Sequence, residues 1–445
     1  MKLKFIFPTV LIFLAATAGR AADTNWLTRP LSLADALNTA LTQNAAILKA
    51  KNDLEISHGL VIQTRAVALP HLTASGQYKA NQSSLVENFG TFGQPVRNWN
   101  AGIQIVQTIY DGGRNIAAIR AAGVTKKQAV AIYQTAVADT LLAVRVAYYD
   151  VLLAAQQVVV REASVKLLEK ELEDQQHRLD AGTVPRFNVL RAEVAVANER
   201  PALIQARNAN RLAKNTLANL LGYNLPREIW EDIPLNLTDG FDLAPLEVNL
   251  PDAIQSALQK RTELEAQRRT VDLQKLSVVD AKAGYQPTLS LFAGYDWFNA
   301  RFSPPIALDH DIHGWNAGAQ LNWNIFDGAA TYGKVKSAKA ALEKSRTELT
   351  DRQRQIEIGV RTAYSDFLQA RETLDSQAKV QESADEALRE AKARAEAGTS
   401  TQLDVLNAET ALTQSRTTQV QAQHDYATAR AKFERAVGND LAPVK

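Results

Sequence analysis

The 445-residue chain has no cysteine. A disulfide framework and a lipid-modified N-terminal cysteine are both excluded. Neither sign of charge is in excess, with 50 Lys and Arg against 48 Asp and Glu, so no basic face argues for nucleic acid. Beyond the N-terminal segment no stretch of about 18 uncharged apolar residues occurs, so no transmembrane helix is expected. Entry into a membrane would have to be as strands. Proline is missing from 96–184 and from 306–442. Such runs, rich in Ala, Gln, Glu, Lys, Arg and Leu, favour helices of unusual length.

The N-terminal segment has a specific pattern. Met1-Lys2-Leu3-Lys4 is basic, Phe5 to Ala16 is an apolar run, and small residues follow at Ala16, Ala18, Gly19, Ala21 and Ala22. This is the layout of a cleavable secretory signal over 1–21, cut near Ala21 or Ala22. A membrane anchor would need about 20 apolar residues.

What remains is written twice. Leu33-Ala34-Asp35-Ala36-Leu37 returns as Leu250-Pro251-Asp252-Ala253-Ile254, and Pro70 and Tyr78 return as Pro287 and Tyr295, 217 residues later. Trp99-Asn100-Ala101-Gly102 returns as Trp315-Asn316-Ala317-Gly318, Asp111-Gly112 as Asp327-Gly328, and Gly182-Thr183 as Gly398-Thr399, now at 216. A period this long is one large unit duplicated. The repeats are expected at 22–222 and 249–438, joined by a proline-bearing linker over 223–248 and followed by a short tail at 439–445.

Each repeat reads as helix, strand, strand, long helix, turn, helix. The long helices are expected over 114–180 and 331–397, and the closing helices over 185–221 and 401–437. Thr140, Val144, Ala147, Val151, Ala154 and Val158 follow a 4-3-4-3-4 spacing, as do Ile356, Val360, Ala363, Phe367, Ala370 and Leu374. Alanine at many of these positions suits a helix touching partners on two sides.

The strands, expected near 71–82, 99–110, 288–299 and 315–326, alternate instead. Tyr78, Trp99, Ile103, Ile105, Tyr295, Trp315, Leu321 and Trp323 form an oily face against Asn, Gln, Thr, Ser and Gly. About ten residues is the length that crosses a bilayer at a tilt, which makes these eight the expected lipid-facing residues. A soluble sheet packed on a core would show the same alternation. The connections at 83–98 and 300–314 are long, whereas the strand-to-helix corners at Pro70 and Asp111-Gly112-Gly113 are tight.

Nothing assembles into a catalytic set. Gly328-Ala329-Ala330-Thr331-Tyr332-Gly333-Lys334-Val335 mimics a phosphate loop, but Val335 stands where a magnesium-holding hydroxyl belongs. His310 and His313 with Asp309 and Asp311 read as a solvated polar loop, not a metal site. No enzyme activity, cofactor or metal is expected. The informative short motif lies between the long helix and the closing one. There Gly182-Thr183-Val184-Pro185 corresponds to Gly398-Thr399-Ser400-Thr401, with Gly ending one helix and Pro or Thr opening the next.

Signal, duplication, alternating strands, long hairpins and the Gly-Thr-x-x-x-Leu-Asp-Val-Leu motif together resemble the TolC-like outer-membrane efflux proteins. The resemblance implies a mainly α chain with a transmembrane β-barrel. Three copies would each give four strands to one 12-stranded barrel, continued by a long α-helical barrel through the periplasm. It further implies a passive exit duct in the outer membrane of a Gram-negative-type bacterium. Its partners would be outer-membrane lipid, a periplasmic adaptor, and an inner-membrane pump driven by protons or ATP. Gly182, Thr183, Val184, Pro185, Gly398, Thr399 and Ser400 become adaptor-docking tips. Asp404, with Asn407 one turn on and Asn188 as its first-repeat counterpart, becomes the periplasmic gate; three Asp404 carboxylates on a three-fold axis would raise one another's pKa. The alternative from another class is a periplasmic structural or adaptor coiled coil carrying a small soluble β domain.

Overall fold

The computed structural model describes residues 30–82, 97–223, 232–301 and 309–439. The expected signal, the tail beyond Asn439 and much of both strand-to-strand connections lie outside the described residues. The first half comprises α1 (Leu33–Gln43), α2 (Ala45–Ala66), β1 (His71–Ala80), β2 (Arg97–Tyr110), α3 (Arg114–Asp180) and α4 (Arg186–Leu220). The second half repeats the order with α5 (Leu250–Lys260), α6 (Thr262–Ala283), β3 (Thr288–Arg301), β4 (Asp309–Asn322), α7 (Ala330–Glu396) and α8 (Gln402–Val437).

The single helix expected at the head of each repeat is two. Asn44 breaks the first: its side-chain oxygen accepts from the amides of Ala46 (2.8 Å) and Ile47 (3.3 Å), restarting the helix as α2. Its amide group donates to the Leu220 carbonyl at 2.6 Å, tying the break to the end of α4. Arg261 breaks the second at the equivalent position, with extended backbone and its guanidinium turned onto Glu263 at 2.7 Å. Gly222, in the left-handed region at φ +78°, lies against the first break so closely that a Cβ there would sit 2.4 Å from the Gln43 carbonyl oxygen. Gly438 at φ +82° approaches Lys260 in the same way.

Helices α3 and α7 each run for 67 residues, about 100 Å at the α-helical rise. Of the two spaced seams, Thr140, Val144, Ala147, Val151 and Ala154 are buried in α3, and Ile356, Val360, Phe367 and Ala370 in α7. From the middle toward the hairpin tips the helices lie in the order α4, α3, α8, α7. Toward the sheet the order is α2, α3, α6, α7. One arc of four therefore runs the whole length, with first-half helices along one edge and α7 along the other.

The sheet keeps that order. Its four strands pair antiparallel as β1-β2-β3-β4, so β2 and β3 join the halves and β1 and β4 are free edges. Strand β4 begins and ends earlier than the alternation suggests, because its partner β3 begins at Thr288, opposite Asn322, and runs out to Arg301, opposite Asp309. Beyond Asn322 there is no strand to pair with. Trp323 consequently sits past β4, at the corner, where its indole N–H donates to the Tyr285 carbonyl at 3.2 Å.

The apolar core is concentrated where α1 and α5 meet the long helices. One cluster gathers Leu33, Val144, Tyr148, Tyr149, Leu217 and Ile233, and the other Leu264, Val360, Phe367, Tyr426 and Phe433. Each such side chain contributes about 1.5–3 kcal/mol by leaving water. The described part of the linker, 232–248, is a strap across this waist and not a tether. Leu31 pairs with its backbone (Leu31 N to Asn236 O, 2.8 Å), and the Asp239 carboxylate caps α1 by accepting from the Leu33 amide at 2.8 Å. The Tyr148 hydroxyl donates to the Leu31 carbonyl (3.0 Å) and accepts from the Asp239 amide (3.2 Å). Burial pushes its pKa up to about 12, so it is a neutral donor at any ordinary pH.

Candidate functional site

Both hairpin tips are built on one device. Gly182 and Gly398 each take φ +72°, and nothing lies within 4 Å of a Cβ built on either, so the glycine serves the left-handed turn and not close packing. The next residue closes a Schellman motif, Thr183 N donating to the Arg178 carbonyl and Thr399 N to the Arg394 carbonyl, both at 2.9 Å. Each threonine hydroxyl donates to that same carbonyl, at 2.9 and 3.2 Å. The repeated Gly-Thr is thus a helix stop with a doubled hydrogen bond.

The outgoing helices start differently. Pro185 opens α4 with no side-chain cap. Thr401 opens α8 with a reciprocal capping box: Asp404 Oδ2 accepts from the Thr401 amide (2.9 Å), the Thr401 hydroxyl (2.7 Å) and the Ser400 hydroxyl (2.9 Å). The Thr401 side-chain bond, the Thr401 amide and Ser400 together hold the Asp404 carboxyl below the usual carboxylate range. Within one chain this runs opposite to the rise expected of carboxylates crowded on an axis. Asn407, one turn on, is exposed, and Asn188 is half-buried in the first turn of α4. The tips are joined by Gln402, whose amide donates to the Asn188 carbonyl at 3.2 Å. Around the first tip Phe187 is exposed, with the Arg191 guanidinium 5.6 Å from its ring centre.

At the other end of the molecule the register gathers the expected lipid-facing residues. Tyr78 lies opposite Trp99, Leu72 opposite Ile105, Ile103 opposite Tyr295, Tyr295 opposite Trp315, and Leu289 opposite Leu321. Directly opposed residues share a face, so seven of the eight stand on one side, Trp323 being the exception. Trp315 is 80 % exposed and Tyr78 67 %, so among the described residues nothing covers this face. His313 stands on it too, its ring stacked on Tyr295 and its Nδ1 sharing a 2.8 Å hydrogen bond with the Tyr295 hydroxyl. The opposite face is more polar, carrying Thr73, Ser75, Gln77, Asn100, Gln104, Asp296 and Asn316 beside Phe292, Phe298 and Ile312. Among the described residues no group of His, Cys, Asp or Glu is placed to hold a metal, and no helix is long and apolar enough to cross a membrane. Gly328 and Ala329, both left-handed, form the corner that starts α7, where Asp327 accepts from the Thr331 amide at 2.8 Å.

Sequence reasoning missed the charged side chains that pin the waist. Arg435 bridges Asp139 of α3 (2.8 Å) and Glu263 of α6 (2.6 Å), and Arg145 meets Glu434 (2.6 Å) and Asp242 (3.4 Å). Burial alone would push Glu263 up, but hydrogen bonds from Arg261 and the charges of Arg435 and Arg261 bring it down to about 2. His424 spans Asp150 (2.7 Å) and Asp425 (3.0 Å) with one nitrogen each. The partners are 172 to 296 residues apart in the Arg435 pairs, so no local pattern announces them.

Known proteins share this design. The family model described as outer membrane efflux protein matches residues 36–223 and 253–439, the two halves. The chain is 24% identical over 414 residues to the outer membrane efflux protein BepC of Brucella suis, covering 92% of this chain and 85% of that protein. It is 22% identical to the outer membrane protein TolC of Vibrio cholerae, covering 96% and 94%. To the alkaline protease secretion protein AprF of Pseudomonas aeruginosa it is 26% identical, over 66% of this chain and only 60% of that protein. Among solved structures, the Campylobacter jejuni CmeC outer membrane channel superposes with a TM-score of 0.80 at 15% identity, covering 93% and 87%. VceC of Vibrio cholerae gives 0.76 at 19%, covering 91% and 96%. A model matched across both halves, on a fold whose sheet leaves an aromatic face exposed, has one meaning: the chain belongs to the outer membrane efflux protein family, a family of passive outer-membrane channels.

Proposed function

We propose that three copies of this chain close into one duct, whose periplasmic mouth is held by the second hairpin tip and whose opening is set by a periplasmic adaptor docked on the tips. The observation that carries this is the pair of free edges, β1 and β4, on a four-stranded sheet whose aromatic face has no cover. Four strands are too few to close a barrel, whereas three such sheets give the 12 strands of a closed one. The helical arc has matching free edges, first-half helices on one side and α7 on the other, so the closure that joins β4 to β1 also joins the helices. In this reading Asp404 supplies the carboxylate at the mouth. Gly182, Thr183, Val184, Pro185, Gly398, Thr399 and Ser400 form the surface an adaptor would meet, about 100 Å from the barrel.

BepC is an efflux protein and AprF a protease secretion protein by name, so a pump behind this duct exporting small compounds or polypeptides fits the relatives. The absence of native cysteine makes the assembly directly testable. A cysteine at Leu72 in β1, combined singly with cysteines along 317–321 in β4, is expected to give a covalent trimer on a denaturing gel at one register. A monomer at every register would overturn the closure.

A further inference from the structure

Two hairpins carry a glutamate at the same repeat position, Glu193 in α4 and Glu409 in α8, 216 residues apart. Glu193 is exposed within the single chain, where α4 is the edge that a neighbouring copy would cover. Glu409 is 2 % exposed, because α8 lies between α3 and α7. It is enclosed near Leu388, Val405 and Leu412, with Leu167 of α3 against the same cluster. Its cation among the described residues is Lys392 of α7, whose ammonium is 3.1 Å from Oε1, and beyond Lys392 neither carboxylate oxygen has a hydrogen-bond partner there. Across the seam Glu171 of α3 adds a like charge. The seam is otherwise polar and light there, Thr413 donating to Ser164 at 3.1 Å.

A carboxylate with a single ammonium for a partner in such a place is costly, and the cost is returned if water reaches it. We propose that Glu409 loads the α3–α8 seam against its own closed state, so that parting the second hairpin from the first rehydrates a buried charge and lowers the cost of opening the duct at its tips. Burial pushes the Glu409 pKa up, with Lys392 opposing and Glu171 adding to the rise. The closed seam therefore binds a proton more tightly than the open one. Opening is favoured as pH rises above the ordinary carboxylate range and suppressed as pH falls through the raised value. The charged groups facing Glu409 are Lys392 from α7 and Glu171 from α3.

This inference rests on the tip-gated reading above. The test uses the full-length protein in planar bilayers, with the open fraction and the thermal midpoint read together. Glu409→Leu is expected to raise the midpoint while lowering the open fraction about tenfold, the range found when a buried charge gives way to a hydrophobe. Lys392, 38 % exposed, is free to turn to water in that variant. Glu409→Gln, nearly isosteric, is expected to fall between and to lose the pH dependence. Glu171→Gln is expected to shift opening in the same direction by less. A Glu409→Leu channel that opens as often as the parent, with a midpoint unchanged or lowered, overturns the loaded seam while leaving the gate at the tips standing. A parent protein that never opens overturns the gated duct and this inference with it.

Discussion

The two halves of the chain share a backbone and differ in how they secure it. At the break between the opening helices, the first half uses one neutral side chain, Asn44, with hydrogen bonds to Ala46, Ile47 and the Leu220 carbonyl. The second half uses ions: Arg261 on Glu263, Glu263 on Arg435, and Arg435 on Asp139. The tips repeat the contrast. Pro185 starts α4 by its fixed φ alone, whereas Thr401, Ser400 and the Asp404 carboxylate start α8. Within the single chain the shared glutamate is exposed at Glu193 and enclosed at Glu409. Duplication preserved what geometry demands, glycine at φ +72° and a helix stop, and left free the chemistry laid over it. At these helix breaks, sensitivity to pH should accordingly reside in the second half.

The largest expected effect is at the waist. Glu263→Ala leaves the Arg435 guanidinium, 7 % exposed, short of its buried partner, and removal of one member of such a pair costs about 3–5 kcal/mol. Asn44→Ala should cost about 1–2 kcal/mol. Denaturant unfolding of the two variants distinguishes them, and equal losses would erase the contrast. The pH dependence separates them further. The Glu263 pKa is depressed, so its contribution, about 3 kcal/mol from the drop to about 2, is present above the ordinary carboxylate value of 4.5 and is lost as pH falls toward 2. The Asn44 variant should follow the parent's acid profile, and the Glu263→Gln variant should show a flatter one.

A smaller effect sharpens the same comparison at the tips. Thr401→Ala removes the hydroxyl that caps α8 and should cost about 1 kcal/mol of local stability. Pro185→Ala removes no side-chain bond and should stay within about 0.5 kcal/mol. Hydrogen exchange at the first turns of α8 and α4 reads the two directly. Faster exchange in both would mean that α4 depends on a contact at Pro185 that the geometry does not contain.

Much of this architecture can be read from residues alone, and the boundary of legibility is physical. Long proline-free runs and 4-3 spacing announce α3 and α7, because helix propensity and seam packing are local and periodic. Strand alternation announces the oily face for the same reason. The start of β4 at Asp309 is invisible locally, since a strand ends where its partner does and the partner is β3. The break at Asn44 hides inside a pattern that reads as one helix, and it depends on Leu220, 176 residues away. At the site, Gly182, Gly398 and Asp404 can be picked out by repeat and resemblance. Glu409 cannot, because its burial comes from the two helices on either side of α8, and a lone glutamate in a helix reads as solvated surface.

The proposed duct has inequivalent tips, and the proposal puts the carboxylate of the second hairpin at its mouth. Block of single channels by a divalent cation added to the periplasmic side measures this directly, in the parent, in Asp404→Ala and in Asn188→Ala. The expected result is block that is lost in Asp404→Ala and retained in Asn188→Ala. Equal block in all three would remove Asp404 from the mouth and contradict the account.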